Sequence, residues 1–379
     1  MSLNLEVYVV RQCCAFLLAF SFVGAATAQN ISVRTTALND PPYNFEAKKL
    51  ATAKDAFEFF RTFVDYFYLV AKDNEASFAI LEPQNLRPTA VCVGDPHAEN
   101  FGVLQQKDGT RIFTANDIDD SATAPVAADL FRLLVGARLV DSNIHVSELL
   151  DAYVDGLDAK ISRPAPRAVE DLFAKSLQDG TGPADDHIDH GLLVREPASS
   201  SLTKDETSEL TFLAGSFVDG FSYRKIGGGS HDQLRYEVLL KPTRTPSVLR
   251  LEFKEEGASA MAPFVTGPAT TAARLLAALD ATFAGSTDPL YKAVKVLRRE
   301  MLQRPRYGSS IAAKLKKLSP NETHDLISYE AYTLARIHAR TLSDVPGWQS
   351  VLKNANRIGW DSDVTAMTSF IETKYQSLP

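Results

Sequence analysis

The stretch Val93-Gly94-Asp95-Pro96-His97-Ala98-Glu99-Asn100-Phe101-Gly102, followed by Asn116-Asp117-Ile118-Asp119-Asp120, carries the residue types that phosphoryl transfer requires. Asp95 stands five residues before Asn100, and a second acidic cluster follows a short hairpin later. In this spacing Asp95 orients and deprotonates an acceptor, while Asn100 and Asp117 supply oxygen ligands to Mg²⁺. Asp119 is a further metal ligand or a hydrogen-bond partner. Mg²⁺ prefers hard oxygen donors and keeps several waters, so an amide oxygen and one or two carboxylates suffice beside nucleotide phosphates. His97 is assigned to shaping the loop, since base work falls to Asp95.

These side chains need elements to hold them. Residues 90–93 are apolar and β-prone, so Gly94-Asp95 leaves the end of a buried strand. Gly109 turns the chain and residues 111–115 form a second strand, which predicts a hairpin delivering Asp117 beside Asn100. One or two helices are predicted after Pro125, over 125–160. Asp129 and Arg132 share a face there and are expected to pair with each other or to brace the acidic loop. Apolar residues at helical spacing predict a core-facing helix within 50–72. Further on, Arg224-Lys225-Ile226-Gly227-Gly228-Gly229-Ser230-His231 lies between two strands, and a third strand ends at Lys254. Gly227, Gly228 and Gly229 let backbone amides approach phosphates, and Lys254 on the adjacent strand can hold phosphate oxygens.

Residues 94–102, 116–120 and Asp129-Leu130-Phe131-Arg132-Leu133 resemble the bacterial domain-of-unknown-function family 2252. Its pattern runs Gly-Asp-x-His-x-x-Asn-Phe-Gly, Asn-Asp-Phe-Asp-Glu and Asp-x-x-Arg-Leu. Here Ile118 replaces the usual Phe, Asp120 the usual Glu, and Thr62 stands where Gly is usual after Phe57-Glu58-Phe59-Phe60-Arg61. The same motifs are similar to those of aminoglycoside phosphotransferases and other protein-kinase-like small-molecule kinases. Tyr329 to Ala339 resembles the Leu-Ala-x-x-His helix that precedes the catalytic loop in such enzymes, yet it lies near the C-terminus. The glycine loop and lysine also follow Asp95 instead of preceding it. The resemblance implies an α+β, two-lobed protein-kinase-like fold with circularly permuted motif order, tolerable where chain ends lie close together. It implies ATP and Mg as cofactors. No Glu is present in the helix predicted over 270–283 to pair with Lys254; Glu255 and Glu256 are the adjacent alternatives.

The chain of 379 residues is 45% hydrophobic and 23% charged, an ordinary globular balance. A net charge of −7 without a long basic run excludes the electrostatic footprint of a nucleic-acid binder. Residues 1–28 read as a signal peptide: Arg11, an apolar run over 13–23, and Ala26-Thr27-Ala28 before Gln29. The run is too short to span a bilayer, so export to the periplasm or beyond is expected, with no transmembrane span in the mature chain. Cys92 would then be the sole cysteine left. The expected organisation is a helical lobe over 29–160, an irregular connection over 161–205, a β-rich lobe over 206–309, and C-terminal helices over 310–379. Asp185 to His190 offers imidazoles and carboxylates but has no second ligand cluster, so it is not assigned to a metal. The expected activity moves a phosphoryl group from a Mg-nucleotide to a small acceptor. A secreted, inactive kinase-like binding protein and a nucleotidyl transferase are the alternatives.

Overall fold

The computed structural model describes residues 37–48, 53–180, 187–214, 216–241, 248–265 and 270–378. The expected signal peptide, with Cys13 and Cys14, lies outside them, as do Asp185 and Asp186. Mixed helices and antiparallel sheets make the chain α+β, and Leu38–Pro379 packs as one unit.

The first α-helices among the described residues are α1 (Ala56–Thr62) and α2 (Val64–Asp73), two helices interrupted at Phe63 where one was expected. Phe59, Phe60, Phe67 and Tyr68 are buried, so the helical spacing does mark a core face. Four short strands follow: β1 (Thr89–Cys92), β2 (Phe101–Gln105), β3 (Arg111–Ala115) and β4 (Ala122–Pro125). β2 and β3 form the expected hairpin, with Phe101 opposite Ala115, while β1 pairs with β4. Next come α3 (Val126–Val140) and α4 (Val146–Leu157).

The stretch 161–205 is not wholly irregular, because it contains α5 (Arg167–Asp179). Ala168, Val169 and Ser176 of α5 are buried. Pro164, Pro166 and Gly180 bound this amphipathic run and hide it from a reading weighted towards breakers. The short strands β5 (Ile188–Asp189), β6 (Leu192–Leu193) and β7 (Ser200–Ser201) and helix α6 (Lys204–Ala214) lead into the largest sheet. That sheet adds β8 (Phe217–Arg224), β9 (Leu234–Leu240) and β10 (Leu249–Glu255) to β7. After α7 (Thr271–Thr282) it is completed by β11 (Lys292–Val296) and β12 (Arg299–Pro305), in the order β11-β12-β10-β9-β8-β7. β13 (Ile311–Ala312) crosses to the hairpin and pairs with β2. The chain closes with α8 (Pro320–Ala339), α9 (Val345–Asn354) and α10 (Arg357–Ser377).

Strand alternation gives the large sheet two different faces. Tyr236, Val238, Leu251, Phe253 and Met301 pack with Leu210 of α6 as one apolar cluster. The alternate residues Arg235, Glu237, Arg250, Glu252, Lys254 and Arg304 form a buried layer of charge on the other face. A larger core gathers α1–α4, α8 and α10, together with Leu275, Ala278 and Leu279 of α7. No helix among the described residues is long and apolar enough to cross a membrane.

Candidate active site

Gly94 ends β1 with a φ of +86°, and a Cβ there would collide with the carbonyl of Asp120. Only glycine lets the chain turn while the acidic loop presses against it. The turn is gripped from behind by Asp129 of α3, which is fully buried. Its carboxylate accepts the amides of Val93 (2.8 Å) and Gly94 (2.9 Å) and the Tyr68 hydroxyl (3.3 Å). It also faces Nε2 of His338 at 2.9 Å, whose Nδ1 meets the Tyr153 hydroxyl at 2.6 Å.

Asp129 and Arg132 do not pair with each other, contrary to that alternative of the sequence reading. Asp129 is taken up by the four donors at the Gly94 turn, and Arg132 reaches the catalytic candidate itself. Arg132 Nε and Nη2 donate to Asp95 Oδ1 at 2.8 and 2.5 Å, and Nη2 also donates to the Phe60 carbonyl at 3.0 Å. Burial alone would raise the Asp95 pKa, but the charge of Arg132 and then His97 hold it well below the usual carboxylate range. His97 Nε2 lies 3.4 Å from Asp95 Oδ2. The Glu99 amide donates to His97 Nδ1 at 3.2 Å, which leaves the ring proton on Nε2, facing Asp95. Burial lowers the His97 pKa despite the opposing pull of Asp95, so the ring is neutral at pH 7.

Asn100 fastens the two loops together. Its Nδ2 donates to the carbonyls of Asp95 (2.8 Å) and Asp117 (3.1 Å), and its Oδ1 accepts the Asp117 amide at 2.9 Å. One Oδ1 lone pair remains for a further partner. The Asp117 side chain is 43% exposed, whereas that of Asp119 is 14% exposed and its Oδ1 is buried without a partner.

Lys254 comes from β10, with its side chain 1% exposed. Its Nζ lies 3.3 Å from Asp117 Oδ1 and is also paired with Asp119 Oδ2. Burial opposes the Asp117 charge, but Lys254 and then Arg304 outweigh it and lower the Asp117 pKa to about 2. Burial lowers the Lys254 pKa, with Asp117 and Glu256 acting in the other direction.

A cavity of about 870 Å³ separates Asp95, Asn100, Asp117 and Asp119 from the loop of Gly227, Gly228 and Gly229. Gly227 and Gly228 both have φ of +73°, as the tight tip between β8 and β9 requires. The Gly227 amide donates to His231 Nδ1 at 2.8 Å. A Cβ on Gly229 would sit 3.3 Å from the Arg61 carbonyl, so the loop lies close against the end of α1. Asp95, Asn100, Asp117, Asp119 and Gly227 to Gly229 thus line one cleft, whereas Lys254 is buried behind its acidic wall and Asp129 and Arg132 brace it.

Arg274 escaped the sequence reading, and Glu256 entered it only as an alternative partner for Lys254. Arg274 of α7 donates to the Asp119 carbonyl, to the carbonyls of Ser121 (3.1 Å) and Gly257 (3.0 Å), and to Ser121 Oγ (3.3 Å). Its Nη2 lies 3.8 Å from Glu256 Oε2. Neither Glu256 oxygen has a hydrogen-bond partner, and burial, reinforced by Asp117 against the pull of Lys254, pushes its pKa to about 7. The sequence reading noted that this helix holds no Glu for Lys254, Asp280 being its only acid. The structure has the opposite polarity: the helix brings a cation, and the acid stands two residues beyond the lysine. The signal was present, since Arg274 is the only basic residue within Thr271–Thr282.

No curated protein and no solved structure matches the chain. The family model described as "Uncharacterized protein conserved in bacteria (DUF2252)" matches residues 42–182 and 199–374, which include every residue of the cleft named above. The chain belongs to that family.

Proposed function

We propose that this protein is an ATP- and Mg²⁺-dependent phosphotransferase of the protein-kinase-like class, with permuted motif order, acting on a small hydroxyl- or amine-bearing acceptor. One observation carries the reading: Asp95, Asn100, Asp117 and Asp119 line one cleft with the glycine loop, and Lys254 of the large sheet lies 3.3 Å from Asp117, behind that acidic wall. Phosphoryl transfer depends mainly on positioning and charge stabilisation, and these groups supply both.

The donor set suits Mg²⁺. Asp119 Oδ1 is a buried acceptor without a partner, Asn100 Oδ1 keeps one lone pair, and Asp117 is open to the cleft. All are hard oxygens. Asn100, Asp117 and Asp119 would hold the ion, which when bound neutralises phosphate charge. Lys254, buried behind Asp117 and Asp119, would reach phosphate oxygens by exchanging its pairs with those acids. The glycine amides would cover them, and His231 would release the Gly227 amide to do so.

Asp95 orients the acceptor. Arg132 saturates Oδ1, so Oδ2, beside the neutral Nε2–H of His97, is the oxygen that receives the acceptor's hydrogen bond. Its low basicity means that it takes the proton late, as bonding to phosphorus completes and the acceptor proton becomes acidic. The test is transfer of label from γ-labelled ATP to a panel of alcohols and amines with Mg²⁺. Asp95→Asn should lower turnover by several orders of magnitude and spare nucleotide affinity. Equal turnover in a folded Asp95→Asn protein would refute the assignment.

A further inference from the structure

A second cavity, of about 310 Å³, lies across Asn116 and Asp117 from the first and is lined by Arg250, Arg304, Arg306, Tyr307 and Ser310. Its roof is the charged face of the large sheet. Arg250 Nε donates to Glu237 (2.8 Å), and both Arg235 and Arg304 are bound to Glu252. Four guanidinium groups, Arg306 included, therefore share two carboxylates.

The other acids nearby are committed elsewhere. Asp117 lies 4.0 Å from Arg304 but faces Lys254 more closely, at 3.3 Å. Asp288 accepts the Tyr307 hydroxyl at 2.9 Å and the Leu290 amide at 2.8 Å. Burial, and next the charge of Glu252, raises the Glu237 pKa, and its partner Arg250 opposes the rise. Arg306, with its side chain 41% exposed, comes no nearer than 4.0 Å to the already shared Glu252. Ser310 Oγ is buried without a hydrogen-bond partner. Uncompensated positive charge at a partly buried wall is costly unless an anion completes it.

We propose that this second cavity binds a phosphate group of a small-molecule ligand. Three arginines, from β10, β12 and the segment after it, line this one wall together, and their several forked donors suit a multiply charged phosphate. The Ser310 hydroxyl supplies a neutral donor. This site would bind phosphate whether or not the first cleft transfers a phosphoryl group.

The test is calorimetric titration of the full chain with inorganic pyrophosphate in the presence of a chelator, so that no metal bridges it to the acids. Saturable binding is expected, weakened about tenfold or more by Arg306→Gln, the value of one charge-assisted contact. Arg306→Lys should recover only part of it, since the planar fork is lost. Absence of saturable binding in the wild type would overturn the proposal, as would unchanged affinity in Arg306→Gln. Loss in Lys254→Met with retention in Arg306→Gln would place the pyrophosphate in the first cavity and overturn it equally. Malonate binding as tightly as pyrophosphate would overturn the choice of phosphate.

Discussion

Replacing Asp129 by Ala should damage the protein more than any other single change near the cleft, because one carboxylate serves four donors at the Gly94 turn. Truncation leaves the amides of Val93 and Gly94 and Nε2 of His338 buried and unpaired, while Tyr68 keeps its bond to the Gly94 carbonyl at 2.7 Å. Each orphaned buried donor costs about 1–3 kcal/mol, so three cost roughly 3–6 kcal/mol after partial relaxation. Folded domains are stable by only about 5–15 kcal/mol, so much of the margin goes. Asp129→Asn keeps one acceptor oxygen but turns an N–H₂ towards other donors, and should cost about half as much. Urea unfolding should show the midpoint falling in the order wild type, Asn, Ala, with unchanged slope. An Asp129→Ala midpoint within about 1 kcal/mol of wild type would mean that the Gly94 turn is held by packing alone.

Three further outcomes follow from the electrostatics and the N-terminus. Glu256 titrates near pH 7 in the folded chain but near 4.5 when free, so ionisation of the unfolded state erodes stability between those values. Glu256→Gln should therefore gain up to about 3 kcal/mol on the wild type as pH rises through that window, and parallel pH–stability curves would contradict this. The folded Asp95 pKa lies below its unfolded value, so its pair with Arg132 stabilises above about pH 4 and is lost only in stronger acid. Arg132→Met should cost about 3–5 kcal/mol at pH 7, and by carbon-detected titration the Asp95 pKa should rise above 4; an unmoved pKa would show that Arg132 does not set it. Exported protein should begin at Gln29, as N-terminal sequencing would read; a chain retaining Met1 in the cytosol would contradict the signal peptide.

The site was largely legible because its residues are consecutive in the chain and chemically unusual. Gly94 to Gly102 and Asn116 to Asp120 flank one hairpin, so local strand and turn rules were enough to bring Asn100 to Asp117. Lys254 was legible as the end of an alternating strand, but its pairing with Asp117 and Asp119 depends on contacts between distant elements that no local pattern encodes. Arg274 was missed for that reason, and Glu256 could be named only as an alternative to Glu255. A basic residue on an apolar helix reads as solvated until the helix is known to pack against the acidic loop. The alternative that Asp129 and Arg132 pair with each other failed because helical neighbours pair only when nothing stronger competes, and the Gly94 amides and Asp95 both did. The sheet's charged face was equally out of reach: alternation reveals two faces but not which one meets a cleft.

The central claim, that nucleotide phosphates lie between the glycine loop and the wall of Asn100 and Asp117 that Lys254 backs, is tested most directly by titrating a non-hydrolysable Mg·ATP analogue into wild type, Lys254→Met and Asp117→Asn. Folding of each variant should be verified by unfolding midpoint. The wild type should bind saturably, and each variant should bind about tenfold or more weakly, the loss of one charge-assisted contact. Folded variants that bind the analogue as tightly as the wild type would contradict the claim and leave the lysine and its acids as a structural ion cluster.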